Sequence, residues 1–401
     1  MLRILAIFLP LLTLVMCKPA TPEAEMSAKQ TPQFTTYELH SDSIGSIDGV
    51  TIYDGGYSAL TFDSKGQLFA LNDRGPNLEA INYAGKPAKR FPIPTYSPGL
   101  TKLQIDSTKV QMSREMNFRL SSGEKFVGLP IPIERKKLTV ELALDENFKL
   151  LQDSPLGIDS EGLIISDSIT WVSDEYAPSV LAFDSEGLIY KSRYSPLSSD
   201  TSVKLPKWLL QRQPNLGFEG LAYSNGYLYA ALQGPLSPIG GDPQTPIVRI
   251  LRINTATAEV RHFLYALDSY QRKIGDLAMH PNGSLLVLEH GHRKQGNWSS
   301  EIYAINLAQI NFASVGTFPP ERFSDVATAL SGGEIISSKA LFLDLLAAGY
   351  PSSLPKPEGL AVDMDGTVYI INDNDYGIDS PAADGKAVAT GMKSYLFSFP
   401  R

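Results

Sequence analysis

Glu219-Gly220-Leu221-Ala222-Tyr223, the pair Asn225-Gly226 and the run Tyr227-Leu228-Tyr229-Ala230 form the stretch whose reading decides the fold. Two apolar runs flank an Asn-Gly pair, whose residues tolerate the positive φ of a tight turn, so the stretch reads as a β-hairpin. The phrase recurs along the chain. Ser58-Ala59-Leu60-Thr61-Phe62-Asp63 precedes a Lys65-Gly66 turn and Gln67 to Leu71, and Glu161-Gly162-Leu163-Ile164-Ile165 precedes Thr170-Trp171-Val172. Asp276-Leu277-Ala278-Met279 leads through Asn282-Gly283 to Ser284-Leu285-Leu286-Val287. Glu358-Gly359-Leu360-Ala361-Val362 leads through Asp365-Gly366 to Thr367-Val368-Tyr369-Ile370.

Further β segments follow most copies, among them Ser179 to Phe183, Ile247 to Ile253, Glu301 to Ile305 and Ser394 to Phe397. A four-stranded unit repeated in this way reads as a blade, and the chain as an all-β protein, a β-propeller. The copies begin at residues 58, 161, 219, 276 and 358. The two middle spacings suit one blade plus its loops. The long first gap is expected to hold a degenerate sixth blade near Leu100 to Leu144, giving six four-stranded blades. The last gap is expected to carry an insertion with a short helix over Ser338 to Ala348, where Leu341, Leu343, Leu345 and Leu346 are apolar. Phe34 to Leu39 is the candidate strand for closing the ring on the last blade.

The chain has 401 residues, 43% hydrophobic and 19% charged, which supports a sizeable core and excludes wholesale disorder. A net charge of −8 argues against nucleic acid as a partner, since phosphate backbones are met with an excess of Lys and Arg. A small anionic or ester substrate needs only a local basic pocket and stays open; oligomeric state is not legible.

Arg3 is followed by the apolar run Ile4 to Met16, too short to span a membrane and of the length of a signal-peptide core. The run ends Leu14-Val15-Met16-Cys17, which resembles a bacterial lipobox, with Met16 where Gly, Ala or Ser is usual. The expected organisation is a signal peptide over 1–16, a lipidated Cys17, a flexible tether over 17–33 rich in Pro, Ala, Thr and Glu, and the propeller over 34–401. Lys18 rather than Asp after the cysteine favours an outer-membrane anchor facing the periplasm. Cys17 is the only cysteine, so the mature domain has no disulfide, thiolate metal site or cysteine nucleophile.

Acidic residues recur at one position of the hairpins. With a two-residue turn, opposed residues have a constant sum, which pairs Ser58 with Asp73, Glu161 with Asp174, Asp276 with Glu289, and Glu358 with Asp373. The Asn225-Gly226 copy instead puts Glu219 opposite Leu232 and beside Gln233. Like charges opposed across strands repel, and several blades ending alike would converge them on one mouth of a central channel. Clustered carboxylates are hard oxygen ligands that suit Ca²⁺, so Glu161, Glu219, Asp276, Glu358, Asp73, Glu289 and Asp373 are candidate metal ligands. The plainer reading is that they cap strand ends or pair with Arg74 and Arg293. Arg74, His290, His292 and Arg293 are placed to bind an anionic group, and a histidine to act as acid or base near neutral pH. No Gly-x-Ser-x-Gly elbow, His-Glu-x-x-His helix, phosphate loop or dinucleotide fingerprint is present.

Six phrases together resemble the phytase-like family, "esterase-like activity of phytase", of exported bacterial proteins. They are Gly56-Tyr57-Ser58-Ala59-Leu60, Asn72-Asp73-Arg74-Gly75-Pro76, Asp159-Ser160-Glu161-Gly162-Leu163, Trp171-Val172-Ser173-Asp174-Glu175-Tyr176, Phe218-Glu219-Gly220-Leu221-Ala222 and Pro357-Glu358-Gly359-Leu360-Ala361. The resemblance implies a propeller that hydrolyses phosphate or other esters. The lysine-rich phosphate pocket of calcium-dependent propeller phytases is not recognisable. In that reading Glu161, Glu219, Asp276 and Glu358 hold a calcium ion, Asp174 or Glu175 acts as base on a water, and Arg74 and His290 steady the substrate. A non-catalytic calcium-stabilised binding propeller and a lactonase-like hydrolase are the alternatives.

Overall fold

The computed structural model describes residues 34–400 apart from 80–81, 133–141, 167, 198–202, 294–295, 313–319, 333–334, 355 and 383. The signal peptide, Cys17 and the tether lie outside the described residues. Five antiparallel sheets carry the repeated hairpins. Blade one is Tyr57–Phe62, Leu68–Asn72, Gly99–Ile105 and Val110–Asn117. Blade two is Ser160–Ser166, Ile169–Asp174, Ser179–Asp184 and Tyr190–Ser195, with Val203–Lys204 added in parallel at its edge. Blade three is Phe218–Ser224, Tyr227–Leu232, Ile247–Asn254 and Val260–Ala266. Blade four is Arg272–Met279, Ser284–His292, Trp298–Asn306 and Ala340–Asp344. Blade five is Pro357–Val362, Val368–Asn372 and Tyr395–Phe399, completed from the other end of the chain by Thr35–Glu38. The N-terminal strand therefore closes the ring as expected.

The first strands of the five blades lie side by side in chain order, and that of blade five returns to that of blade one. Among the described residues the ring thus closes with five blades, not six. The segment expected to form a sixth supplies the third and fourth strands of blade one, and Leu142–Leu144 pairs with Lys86–Arg90 in a small separate sheet. The first gap is long because blade one carries extended loops, not because a hairpin has decayed. The expected helix over Ser338 to Ala348 is also corrected: Ala340–Asp344 is a strand on the Trp298–Asn306 edge. A short apolar run fits either period, and the open edge beside it decides.

Apolar side chains fill the seams between neighbouring blades rather than one central core. Ala59, Leu71, Phe118, Leu163, Val172 and Phe183 pack between blades one and two, and Leu286, Leu288, Leu360, Ile370 and Phe397 between four and five. Blade three is covered on both faces, so its inner strands are buried along most of their length instead of at alternate residues.

The Glu-Gly-Leu phrase follows from how closely the inner strands approach. A β-carbon on Gly162 would collide with the Glu219 carbonyl of the next blade, and one on Gly220 would stand 2.6 Å from the Asp276 Cα. Glycine lets the strands meet at the axis, while the acid before it turns into the channel.

Candidate metal and substrate site at the channel mouth

A β-bulge interrupts every inner hairpin at one shared position, which holds a glutamate in blades two, three and five. The register shifts fall between Tyr57 and Ala59, Ser160 and Leu163, Phe218 and Leu221, Ile274 and Asp276, and Pro357 and Gly359. Bulges re-aim side chains. Three hairpins also turn through longer loops than a two-residue reading allows: Asp63 with Gln67, His280 with Ser284 and Asp363 with Thr367 close them. The expected opposed pairs therefore do not form. Asp174 faces Ser160, Asp276 faces Leu288, and Asn372 faces Pro357.

What the bulges achieve is convergence. Ser58, Glu161, Glu219 and Glu358 from the inner strands line one cavity of about 480 Å³ at the mouth of the channel. Asp73, Arg74, Glu175, Gln233, His290 and Asp373, from the ends of the second strands, line it too. Its outer wall comes from two long loops, Asn77, Glu79 and Lys89 from blade one and Asp375, Asp379 and Met392 from blade five. Ten carboxylates face four Lys or Arg side chains there, so negative charge is in excess.

Three of the expected acids lie elsewhere. Asp276 occupies the position where blades two, three and five have glycine, one place beyond their glutamates, and so sits on the axis below the mouth. Its two oxygens accept the amides of Leu277 (2.7 Å) and Leu360 (2.8 Å), and the amides of Leu60 and Leu221 also bond to it. This carboxylate ties four inner strands together. Glu289 is buried in a separate network with Arg272 (2.9 Å), Tyr265 and Lys339, and Arg272 is bound in turn by Glu301. Asp174 accepts the Asp159 amide (3.1 Å), the Tyr176 amide (3.2 Å) and the Ser179 hydroxyl (3.1 Å), which shapes the strand end but keeps it out of the cavity. For these three, capping and ion pairing won, as the plainer reading allowed.

Burial decides the electrostatics. Glu161, Glu219, Glu358 and Asp73 are each held well above the usual carboxylate range, first by loss of water and then by neighbouring carboxylates. Burial, with Asp159 beside it, pushes Glu175 up to about 7, and burial with Asp375 pushes Asp373 up to about 6. Lys356 bridges Asp373 (3.0 Å) and Asp375 (2.5 Å). Burial and the charges of Lys273, Arg272 and Lys356 push His290 down to about 3. The ring is neutral near pH 7, which corrects the expectation of a histidine titrating there. His292 and Arg293 are exposed and outside the cavity, and Arg293 pairs with Glu301 instead of binding an anionic group.

Sequence reasoning missed Asp159. Its carboxylate meets Arg74 (3.0 Å), and Arg74 lies over the Tyr176 ring. Asp159, Glu161 and Glu175 each bring one oxygen within 4.8 Å of the others, all buried. Asp159 Oδ1, Glu175 Oε1 and Glu219 Oε2 have no hydrogen-bond partner. Buried carboxylate oxygens without donors are costly, and a hard cation with oxygen ligands is what such a set fits. The signal was the acid two residues ahead of Glu161 inside a phrase already singled out.

Among solved structures, similar chains include a PQQ-bound aldose sugar dehydrogenase from Streptomyces coelicolor, 10% identical, with 92% of this chain and 99% of that chain covered and a TM-score of 0.34. A gluconolactonase from Xanthomonas campestris is 8% identical, with 91% and 95% covered and a TM-score of 0.36. An α-L-arabinofuranosidase from Clostridium thermocellum is 11% identical, with 78% and 81% covered and a TM-score of 0.39. Likenesses this distant say nothing of the chemistry at the mouth. No curated protein matches the chain. The model of the phytase-like family, esterase-like activity of phytase, matches residues 53–376, and the chain belongs to that family.

Proposed function

We propose that the mouth is the active site of a calcium-dependent hydrolase of phosphate or other esters, exported to the cell envelope and anchored through lipid on Cys17. The observation that carries the reading is the buried trio Asp159, Glu161 and Glu175, with carboxylate oxygens left without donors. These three would hold the cation, which when bound supplies Lewis-acid polarisation of the ester oxygen. Arg74 fixes Asp159 and so sets the trio's shape. Gln233 donates to Glu219 Oε1 (2.8 Å), which leaves Oε2 without a partner and so able to take a proton from water or return one to the leaving group. The N-terminal run before Cys17 supports the envelope location.

The test is turnover of chromogenic phosphate monoesters, phosphate diesters, carboxyl esters and a lactone, with calcium and after chelation. Calcium-dependent hydrolysis of at least one ester is expected, lowered at least about tenfold by Glu161→Gln. A folded, calcium-loaded protein that turns over none of them rejects the reading; turnover of the lactone alone moves it to the lactonase-like class.

A further inference from the structure

Lys273 and His290 stand opposite each other across the first hairpin of blade four. The next residue, Ile274, donates its amide to the Gln233 carbonyl (2.9 Å), which brings the second strand of blade three against the same spot. Blade four has Gly275 where blades two, three and five carry a glutamate, and a β-carbon there would lie 3.3 Å from the His290 ring. The imidazole thus fills the side of the mouth that lacks an acid. It is 7% exposed, lines the cavity, and its Nε2 has no hydrogen-bond partner. Of the four Lys and Arg side chains in the cavity, Arg74 is engaged by Asp159, Lys89 by Glu79, and Lys356 by Asp373 and Asp375. Lys273 is exposed and its ammonium makes no ion pair or hydrogen bond among the described residues. Its charge nonetheless bears on Glu175, Glu219 and Glu358, so it projects over the acid ring.

A cation held by Asp159, Glu161 and Glu175 would put positive charge across the mouth from this ammonium. The two repel unless an anion lies between them. A tetrahedral oxyanion can give the cation, the ammonium and the imidazole an oxygen each, whereas a carboxylate would have to share one oxygen between two of them. We infer that Lys273 and His290 form an anion subsite that takes the phosphoryl group of the substrate. This rests on the hydrolase reading and narrows its substrates to phosphate esters.

The subsite is tested without turnover, by calorimetric titration of the full chain, metal-stripped and calcium-loaded, with phenylphosphonate, its uncharged diethyl ester and benzoate. The phosphonate is expected to bind, the ester not, and benzoate more weakly. Lys273→Gln should weaken phosphonate binding about tenfold or more in both metal states, while Lys273→Arg keeps most of it. Calcium and phosphonate should tighten each other by one common factor. Melting of Lys273→Gln within about 2 °C of the parent shows that its fold is kept. Equal phosphonate affinity in the parent and Lys273→Gln, no phosphonate binding to either, or benzoate binding as tightly as phosphonate overturns the inference. A separate calcium titration that shows no binding removes the metal reading alone, since the metal-free phosphonate arm still judges the subsite.

Discussion

Glu161 and Glu175 are held where a carboxylate is hardest to keep ionised, buried and beside other acids. If their role were packing, a neutral isostere would weaken the protein. If they hold a cation, the empty site is strained and the isostere relieves it. Glu161→Gln is therefore expected to raise the melting temperature of metal-free protein at pH 8, by an amount worth about 1 kcal/mol, and to abolish further stabilisation by calcium. Melting curves with calcium and with chelator read both effects, and a lower metal-free melting temperature would show a structural glutamate instead. Glu161, Glu219 and Glu358 were legible in the sequence because each precedes the glycine at which the inner strands touch. Lys273 was not. Its strand runs from Arg272, ahead of the repeated phrase, and nothing in Asp276-Leu277-Ala278 points back to it.

Strands and bulges explain why one residue of offset mattered so much. Aligning the acids of the repeat sets Asp276 beside Glu161, Glu219 and Glu358. Aligning the leucines that follow, Leu60, Leu163, Leu221, Leu277 and Leu360, moves Asp276 to the glycine position and on to the channel axis. There it bonds the amides of four inner strands, so its removal should act on the ring as a whole. Asp276→Ala leaves those buried amides without an acceptor and is expected to cost roughly 3 kcal/mol or more. Denaturant unfolding measures this, and a loss below about 1 kcal/mol would mean that water or backbone replaces the carboxylate easily. The hairpins themselves were plain from turn chemistry and apolar runs, as was the closing strand at Thr35–Glu38. The blade count was not, because strands Gly99–Ile105 and Val110–Asn117 carry no phrase that assigns them to blade one. Bulges were equally hidden, since they arise from packing of neighbouring strands at the axis and not from any local turn.

Across the whole molecule the acid ring at the mouth makes stability depend on pH, in a direction that a bound cation would oppose. Glu161, Glu219, Glu358 and Asp73 have raised proton affinities when folded, Glu175 is raised to about 7 and Asp373 to about 6, and in the unfolded chain such groups titrate near their ordinary values. At these carboxylates folded protein therefore binds more protons than unfolded protein between about pH 4 and 7, so their contribution is complete at the acid end and is lost as pH rises through the folded values. Asp48, Glu79, Asp106, Asp184, Asp268 and Asp375 are lowered and act oppositely on the acid side of the same range, and His262 and His290, pushed down to about 4 and about 3, act oppositely up to about pH 6.5, but these two are outnumbered by the raised carboxylates. Metal-free protein is thus expected to lose stability from pH 5 to pH 8. Calcium held by these carboxylates would compete with those protons, so its effect should be small at pH 5 and grow to pH 8. At a hundred times its Kd it would add about 2.7 kcal/mol. Melting temperatures at pH 5, 6, 7 and 8, with calcium and with chelator, give two curves that should diverge as pH rises. Parallel curves would show that calcium binds somewhere other than this acid ring. A metal-free curve that climbs to pH 8 would show that the ring's carboxylates are already compensated by Lys273, Lys356 and Arg74.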